Sequence, residues 1–198
     1  MTIGVGGSTI EIELNKLSDM TADVIAISEA EYRARISKAR QLMRGQGICA
    51  LYLDAGTNLH YFTGLKWYKS ERMVGAILPA EGNLEFIAPH FEEGSLRDNM
   101  LIQGNYNGWH EDESPFQVFA TLLANIGATQ GKVAIDESAA FFIFDGLRNA
   151  APHFEFTNGA DITAPCRQIK SCAEIALMQR AKDMTIEVHK AAARILRP

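Results

Sequence analysis

The sequence predicts an α/β fold, a mixed β-sheet with helices on both faces, and three observations predict it. Capping signals stand before apolar residues at helical spacing. Short continuous apolar runs of strand length follow. The two patterns alternate along the chain from Ser28 to Thr157. No internal repeat or low-complexity stretch interrupts them.

Taken in order, residues 1–27 are ambiguous. Ile10, Ile12 and Leu14 alternate with Glu11 and Glu13 after two glycines, which suits a short strand or a loose extension. Ser28 with Glu31 three positions on forms a capping-box signal. Tyr32, Ile36, Ala39 and Met43 then fall on one helical face, and Gly45 and Gly47 end the helix. Ile48 to Leu53 is apolar enough for a strand buried on both sides. Met73–Leu78 and Leu84–Ala88 flank the turn cluster Pro79–Asn83 and predict a hairpin. A helix is expected over about Glu92–Leu101. Another is expected from Ser114, with Pro115 at its first position, Gln117 completing a box, a stripe of Phe116, Phe119, Leu123 and Ile126, and Gly127 closing it. Lys132–Asp136 reads as a strand. Ser138 is placed to cap a helix bearing Phe141, Phe144 and Leu147, and His153–Thr157 alternates as a further strand.

The last segment differs. Thr163-Ala-Pro165 reads as a linker and Ser171-Cys-Ala-Glu174 as another capping box. A long helix follows, with an apolar stripe of Ile175, Met178, Ala181, Thr185, Val188, Ala192 and Ile195, a face that is expected to be covered.

Composition narrows the function. The 198 residues are 47% apolar and 22% charged, an ordinary globular balance. A net charge of −5 leaves no basic excess to neutralise phosphates, so nucleic acid is not an expected partner. No apolar run approaches the ~18 residues of a membrane span, and Met1–Lys16 lacks the pattern of a signal peptide. Cys49, Cys166 and Cys172 fit no C-x-x-C spacing and read as free thiols of a reducing cytoplasm.

Catalytic motifs are sparse. There is no G-x-S-x-G or H-E-x-x-H, Lys170-Ser171 lacks the glycines of a phosphate loop, and Gly4-Val-Gly6-Gly7 has no strand before it. His110-Glu-Asp-Glu113 contains metal-ligating residue types, but such a run is more often a solvated loop. His153 and Glu155 share a strand face, and His60, His90 and His189 are isolated. Glu92 and Glu93 suit a helix start, where the dipole favours acids.

Two segments resemble a known family. Asn58-Leu-His-Tyr-Phe-Thr-Gly64, followed by Glu71-Arg72, a hydrophobic strand, Pro79 and Gly82, resembles the N-terminal domains of Xaa-Pro aminopeptidases, prolidases and creatinases. Arg167-Gln-Ile-Lys170-Ser171-Cys-Ala-Glu174-Ile-Ala-Leu-Met178-Gln-Arg-Ala181 is similar to the junction where these proteins enter their catalytic pita-bread domain. The resemblance spans about Ser28 to Pro198. It implies a ribonuclease H-like creatinase/prolidase N-terminal domain over 28–165, an extension over 1–27, and over 166–198 a linker with the first helix of a catalytic domain whose remainder is absent.

In function it implies the non-catalytic domain of a cytoplasmic, metal-dependent, proline-specific peptidase, aminopeptidase or dipeptidase. This domain would contribute homodimer contacts and a wall of the active site facing a proline-containing peptide. The two divalent ions such enzymes use (Mn, Co or Zn) belong to the catalytic half, so no catalytic or metal-ligating residue is assigned here, and this chain alone is not expected to hydrolyse anything. Creatinase-like amidinohydrolases and catalytically silent peptide-binding relatives share the fold and stay open as alternatives. The creatinase branch places an arginine eight residues after the family glycine. It reaches into the neighbouring subunit's site and holds a substrate carboxylate. Counted from Gly64, that residue is Arg72, with Trp67 and Tyr68 as flat apolar surface for a proline ring. The competing reading pairs Arg72 with Glu71 or another nearby acid and makes Trp67 and Tyr68 loop or interface anchors.

Overall fold

The computed structural model describes residues 3–197. Its contacts divide the chain into two compact units, Ser28–Ile169 and a smaller one that joins the residues up to Ile27 with those from Lys170.

The larger unit is a six-stranded sheet. Helix α2 (Glu29–Gln46) begins where the Ser28 hydroxyl accepts the Glu31 N–H, and ends at Gly47, whose φ of 67° is a left-handed C-terminal stop. Strand β1 (Ile48–Asp54) follows, then α3 (Thr57–Thr63), β2 (Gly75–Pro79) and β3 (Glu85–Pro89). A 3-10 turn (His90–Glu92) leads into α4 (Glu93–Asn99), then β4 (Asn105–Trp109), α5 (Pro115–Asn125), β5 (Lys132–Ile135), α6 (Phe141–Ala150), β6 (Glu155–Asn158) and α7 (Ala160–Arg167).

The strand order is β4-β3-β2-β1-β5-β6. β2 runs antiparallel to both its neighbours, and every other pairing is parallel. Helices cover both faces. On one, Ala50, Tyr52, Ile77, Ile87, Val133 and Ile135 pack with Phe119, Leu122 and Leu123 of α5 and Ile143 and Leu147 of α6. On the other, α2 and α3 lie against β1, α4 against β3, and α7 against α2. Leu51, Tyr52 and Leu53 are wholly buried, which is why β1 is continuously apolar. Each such side chain contributes about 1.5–3 kcal/mol by burial.

Several expectations need correction. Ser114 flanks α5, but its hydroxyl makes no cap bond. The Gln117 N–H goes to the Ser114 backbone carbonyl instead. Ser138 does not cap α6, which starts after Ala140, because its N–H and hydroxyl are both given to Asp136. Thr163-Ala-Pro165 is not a linker but part of α7, where buried Ile162 and Thr163 outweigh the proline near the helix end. The strand β4 has no apolar signal, since Asn105, Asn107 and Gly108 lie within it. Its pairing with β3 and the Glu85 bonds from Asn105 and Asn107 hold it.

In the smaller unit, α8 (Cys172–Ile195) starts at a complete capping box of Ser171 and Glu174. The doubtful N-terminal stretch contains a helix, α1 (Ile10–Leu14), capped by the Thr9 hydroxyl. The expected apolar face of α8 is not the covered one: Ile175, Met178 and Val188 are 55%, 58% and 52% exposed. The less exposed positions include Leu177, Arg180, Met184 and Ala191, offset around the helix, joined at its end by Ala192 and Ile195 of the expected stripe. Among the described residues no helix is long and apolar enough to cross a membrane.

Candidate functional site

Because five strands share one direction, their carboxyl ends gather at one end of the sheet, together with the loop that enters β2. In open α/β sheets this end is where side chains from several loops converge. Here it carries two groups of polar residues.

The first lies at the ends of β1 and β5, with Asp54, Asn58, Asp136 and Thr163 buried and Lys69, Glu137 and Ser138 reaching the surface. Asp136 accepts at Oδ2 from the Asp54 N–H (3.2 Å), and at Oδ1 from Asn58 Nδ2 (2.9 Å) and from the Ser138 N–H and hydroxyl (2.8 and 2.7 Å). Asn58 Nδ2 also reaches Glu137 Oε1 at 3.1 Å, and Asn58 Oδ1 accepts from Arg167 Nη1 at 2.8 Å. The Thr163 hydroxyl donates to Glu137 Oε2 at 2.9 Å. Lys69 pairs with Asp54 at 3.3 Å and reaches the Ser138 carbonyl, while the Tyr52 hydroxyl donates to Asp54 Oδ1 at 3.1 Å.

Electrostatics follow from this wiring. Burial raises the Asp54 carboxyl above its ordinary range, against the pull of Lys69 and Tyr52. Burial also pushes Glu137 upward, but hydrogen bonds from Asn58, its own backbone and Thr163, with the Arg167 charge, hold it below the ordinary value. Every buried polar side chain described here has a partner. The group therefore acts as a lock joining β1, α3, β5 and α7 rather than as a set of free catalytic acids.

The second group is at the surface. The Arg72 Nε donates to Glu111 Oε1 at 3.0 Å, and its Nη1 pairs with Glu71. The guanidinium stands 5.6 Å from the Phe91 ring centre. The Glu111 hydrogen bond raises the Arg72 pKa further, so the cation is permanent. The rings of His90 and His110 lie 4.6 Å apart beside it in the fold, with Glu93 at 3.8 Å from His90. Trp67 is half-buried, and Tyr68 is exposed against Lys66 at 5.7 Å. Among the described residues no hydrogen bond or ring contact ties either aromatic to Arg72.

Among the described residues no group of three or more His, Cys, Asp or Glu side chains is placed to hold a metal ion. His110-Glu-Asp-Glu113 forms a turn in which Glu113 accepts the His110 N–H at 2.8 Å. The two ions that the resemblance implies thus find no ligand set among these side chains. Sequence reasoning missed Asp136, Glu137, Asp54 and Lys69. Only the asparagine and arginine of the two quoted segments pointed toward them.

Comparison with known proteins agrees with this geometry. Residues 35–169 match the Creatinase/Prolidase N-terminal domain family. The chain is 27% identical to an uncharacterized peptidase of Schizosaccharomyces pombe, over 90% of this chain and 41% of that protein. It is 24% identical to the ectoine hydrolase of Halomonas elongata, over 88% and 46%. The crystal structure of a prolidase from Thermococcus sibiricus superposes with a TM-score of 0.74 at 25% identity, covering 84% of this chain and 44% of that one. The chain thus spans less than half the length of each.

Proposed function

Because the chain belongs to the creatinase/prolidase N-terminal domain family, we propose that it is the non-catalytic domain of a longer, metal-dependent, proline-specific peptidase. The observation that supports this most is the superposition on part of a prolidase, with both resemblance segments joined at Asn58 and Arg167. In this reading residues 28–165 form the family domain. Residues 166–198 lead into a catalytic domain that supplies the ligands of two divalent ions, and residues 1–27 are an extension. The protein acts in the cytoplasm as a homodimer.

The Arg72 end of the sheet forms a wall of the partner subunit's site. Arg72 presents a permanent cation whose fork now holds Glu71 and Glu111, the same chemistry that a substrate carboxylate offers. Exchange of those surface carboxylates for a substrate's costs little, since exposed pairs contribute only about 0–1 kcal/mol. Trp67 and Tyr68 supply apolar surface for the proline ring.

Assay of the longer protein with Mn, Co or Zn on Xaa-Pro dipeptides and on peptides with proline second tests the reading. Cleavage of either substrate by the longer protein, and of neither by this chain alone, is the expected result. A second reading, hydrolysis of a small non-peptide substrate such as creatine or ectoine, is favoured by the likeness to the ectoine hydrolase. Turnover of such a compound without any Xaa-Pro cleavage would replace the peptidase reading with it.

A further inference from the structure

Neither residues 3–27 nor α8 lies within the matched family segment, yet the two are built onto each other. The N-terminal stretch runs antiparallel to the helix along most of its length. At the helix end, the Val5 N–H donates to the Leu196 carbonyl at 2.7 Å and the Ser8 N–H to the Arg194 carbonyl at 3.4 Å. A Cβ on Gly4 would meet the Ile195 backbone at 2.4 Å, and one on Gly6 the Arg194 backbone at 2.5 Å, so the two backbones touch directly.

Two arginines of α8 then each take a carboxylate from the stretch. Arg194 Nη1 donates to Glu13 Oε2 at 3.0 Å, and Arg180 Nη2 to Asp23 Oδ2 at 2.8 Å while its Nη1 reaches the Met20 carbonyl at 2.6 Å. The arginines are about 21 Å apart along the axis at the usual rise per residue. Between these anchors, and beyond the Arg180 one, the fit is loose. A cavity of about 440 Å³ opens between Leu17 or Met20 and Met184 or Val188, and one of about 280 Å³ between Val24 or Ile25 and Leu177. Ile10, Ile12, Leu14 and Ile25 point mostly to the outside. The attachment therefore depends on backbone contact and two charged anchors more than on apolar burial.

A single helix without a covered face is marginal in water. We propose that residues 3–27 are a clasp on α8, anchored at the Gly4–Gly6 backbone contact, Arg194–Glu13 and Arg180–Asp23, and that in this chain the C-terminal half of α8 depends on the closed clasp for its stability. The clasp is selective for its own helix, because two acids and two glycines must align with two arginines and the helix end.

Hydrogen exchange of the intact chain tests this, independently of any peptidase activity. Gly6→Val, and separately the double variant Arg180→Ala with Arg194→Ala, should raise exchange over residues 182–196 by 10-fold or more. Exchange in β1 and β5 should stay unchanged. A synthetic peptide of residues 3–27 added in excess to the Gly6→Val chain should restore the lost protection. Unchanged exchange in α8 for both variants would overturn the clasp, and so would failure of the peptide to restore protection while β1 and β5 remain protected.

Discussion

Asn58 and Arg167 meet through one hydrogen bond of 2.8 Å, across 109 positions of sequence, and each belongs to one of the two segments that resemble the family. The asparagine at the start of the first segment is a hub. Its amide nitrogen serves Asp136 and Glu137, and its oxygen takes the arginine that ends α7. An aspartate there would set a third carboxylate beside two others, and a leucine would satisfy none of them.

Asn58→Ala should therefore destabilise the larger unit by about 1–3 kcal/mol, the usual cost of leaving buried polar partners unsatisfied. Urea unfolding followed by tryptophan fluorescence measures it. An unchanged midpoint would show that the hub is not holding β1, α3, β5 and α7 together.

Gly64 ends α3 with φ of 77°, and a Cβ on it would lie 2.6–2.7 Å from the Leu101 side chain. Gly64→Ala should cost about 1–2 kcal/mol from the left-handed backbone alone, with a further steric part. Leu101 is 44% exposed, so adding Leu101→Ala should recover only the part of the clash owed to its Cγ and Cδ atoms, since the Leu101 Cβ stays, and should leave the backbone part. Full recovery in the double variant would show that the backbone conformation is not the cause.

Glu13 is nearly inaccessible, and hydrogen bonds from Lys16, Ser8 and Arg194 lower its carboxyl from 4.5 to about 2. A lowered folded-state value means that its stabilising effect is complete above pH 4.5 and is lost as the pH falls through about 2. NMR titration of the Glu13 side chain should show this low midpoint, and Arg194→Ala should move it upward. A midpoint near 4.5 in the unmodified chain would contradict the geometry of this anchor.

In the longer protein, Arg72→Ala should raise KM about 10-fold or more for a substrate with a free carboxylate, as loss of a hydrogen bond to a charged group predicts. A substrate with a blocked end should be almost unaffected. Equal kinetics of the variant and the unmodified enzyme on both substrates would remove Arg72 from the site.

Much of the fold was legible because local signals and burial agree. Ser28 and Gly47 bound α2, Tyr32, Ile36, Ala39 and Met43 form its buried face, and the unbroken apolar run of β1 reports cover on two sides. The misses share one cause, tertiary contact overriding local preference. β4 is a strand because β3 offers a pairing edge, and α7 is a helix because Ile162 and Thr163 are buried.

The α/β class, the principal helices and strands of the larger unit, and the two segments that place the chain in its family can all be read from the residues alone. It took the folded chain to bring Asn58, Asp136, Glu137 and Arg167 into one hydrogen-bonded group, to set Arg72 against Glu111, and to lay the N-terminal residues along α8. The physical reason is distance along the chain. Periodicity and capping act over a few residues, whereas these bonds join positions 39 to 181 apart and exist only once the chain has folded, those of the larger unit once the strands have fixed which loops share an end.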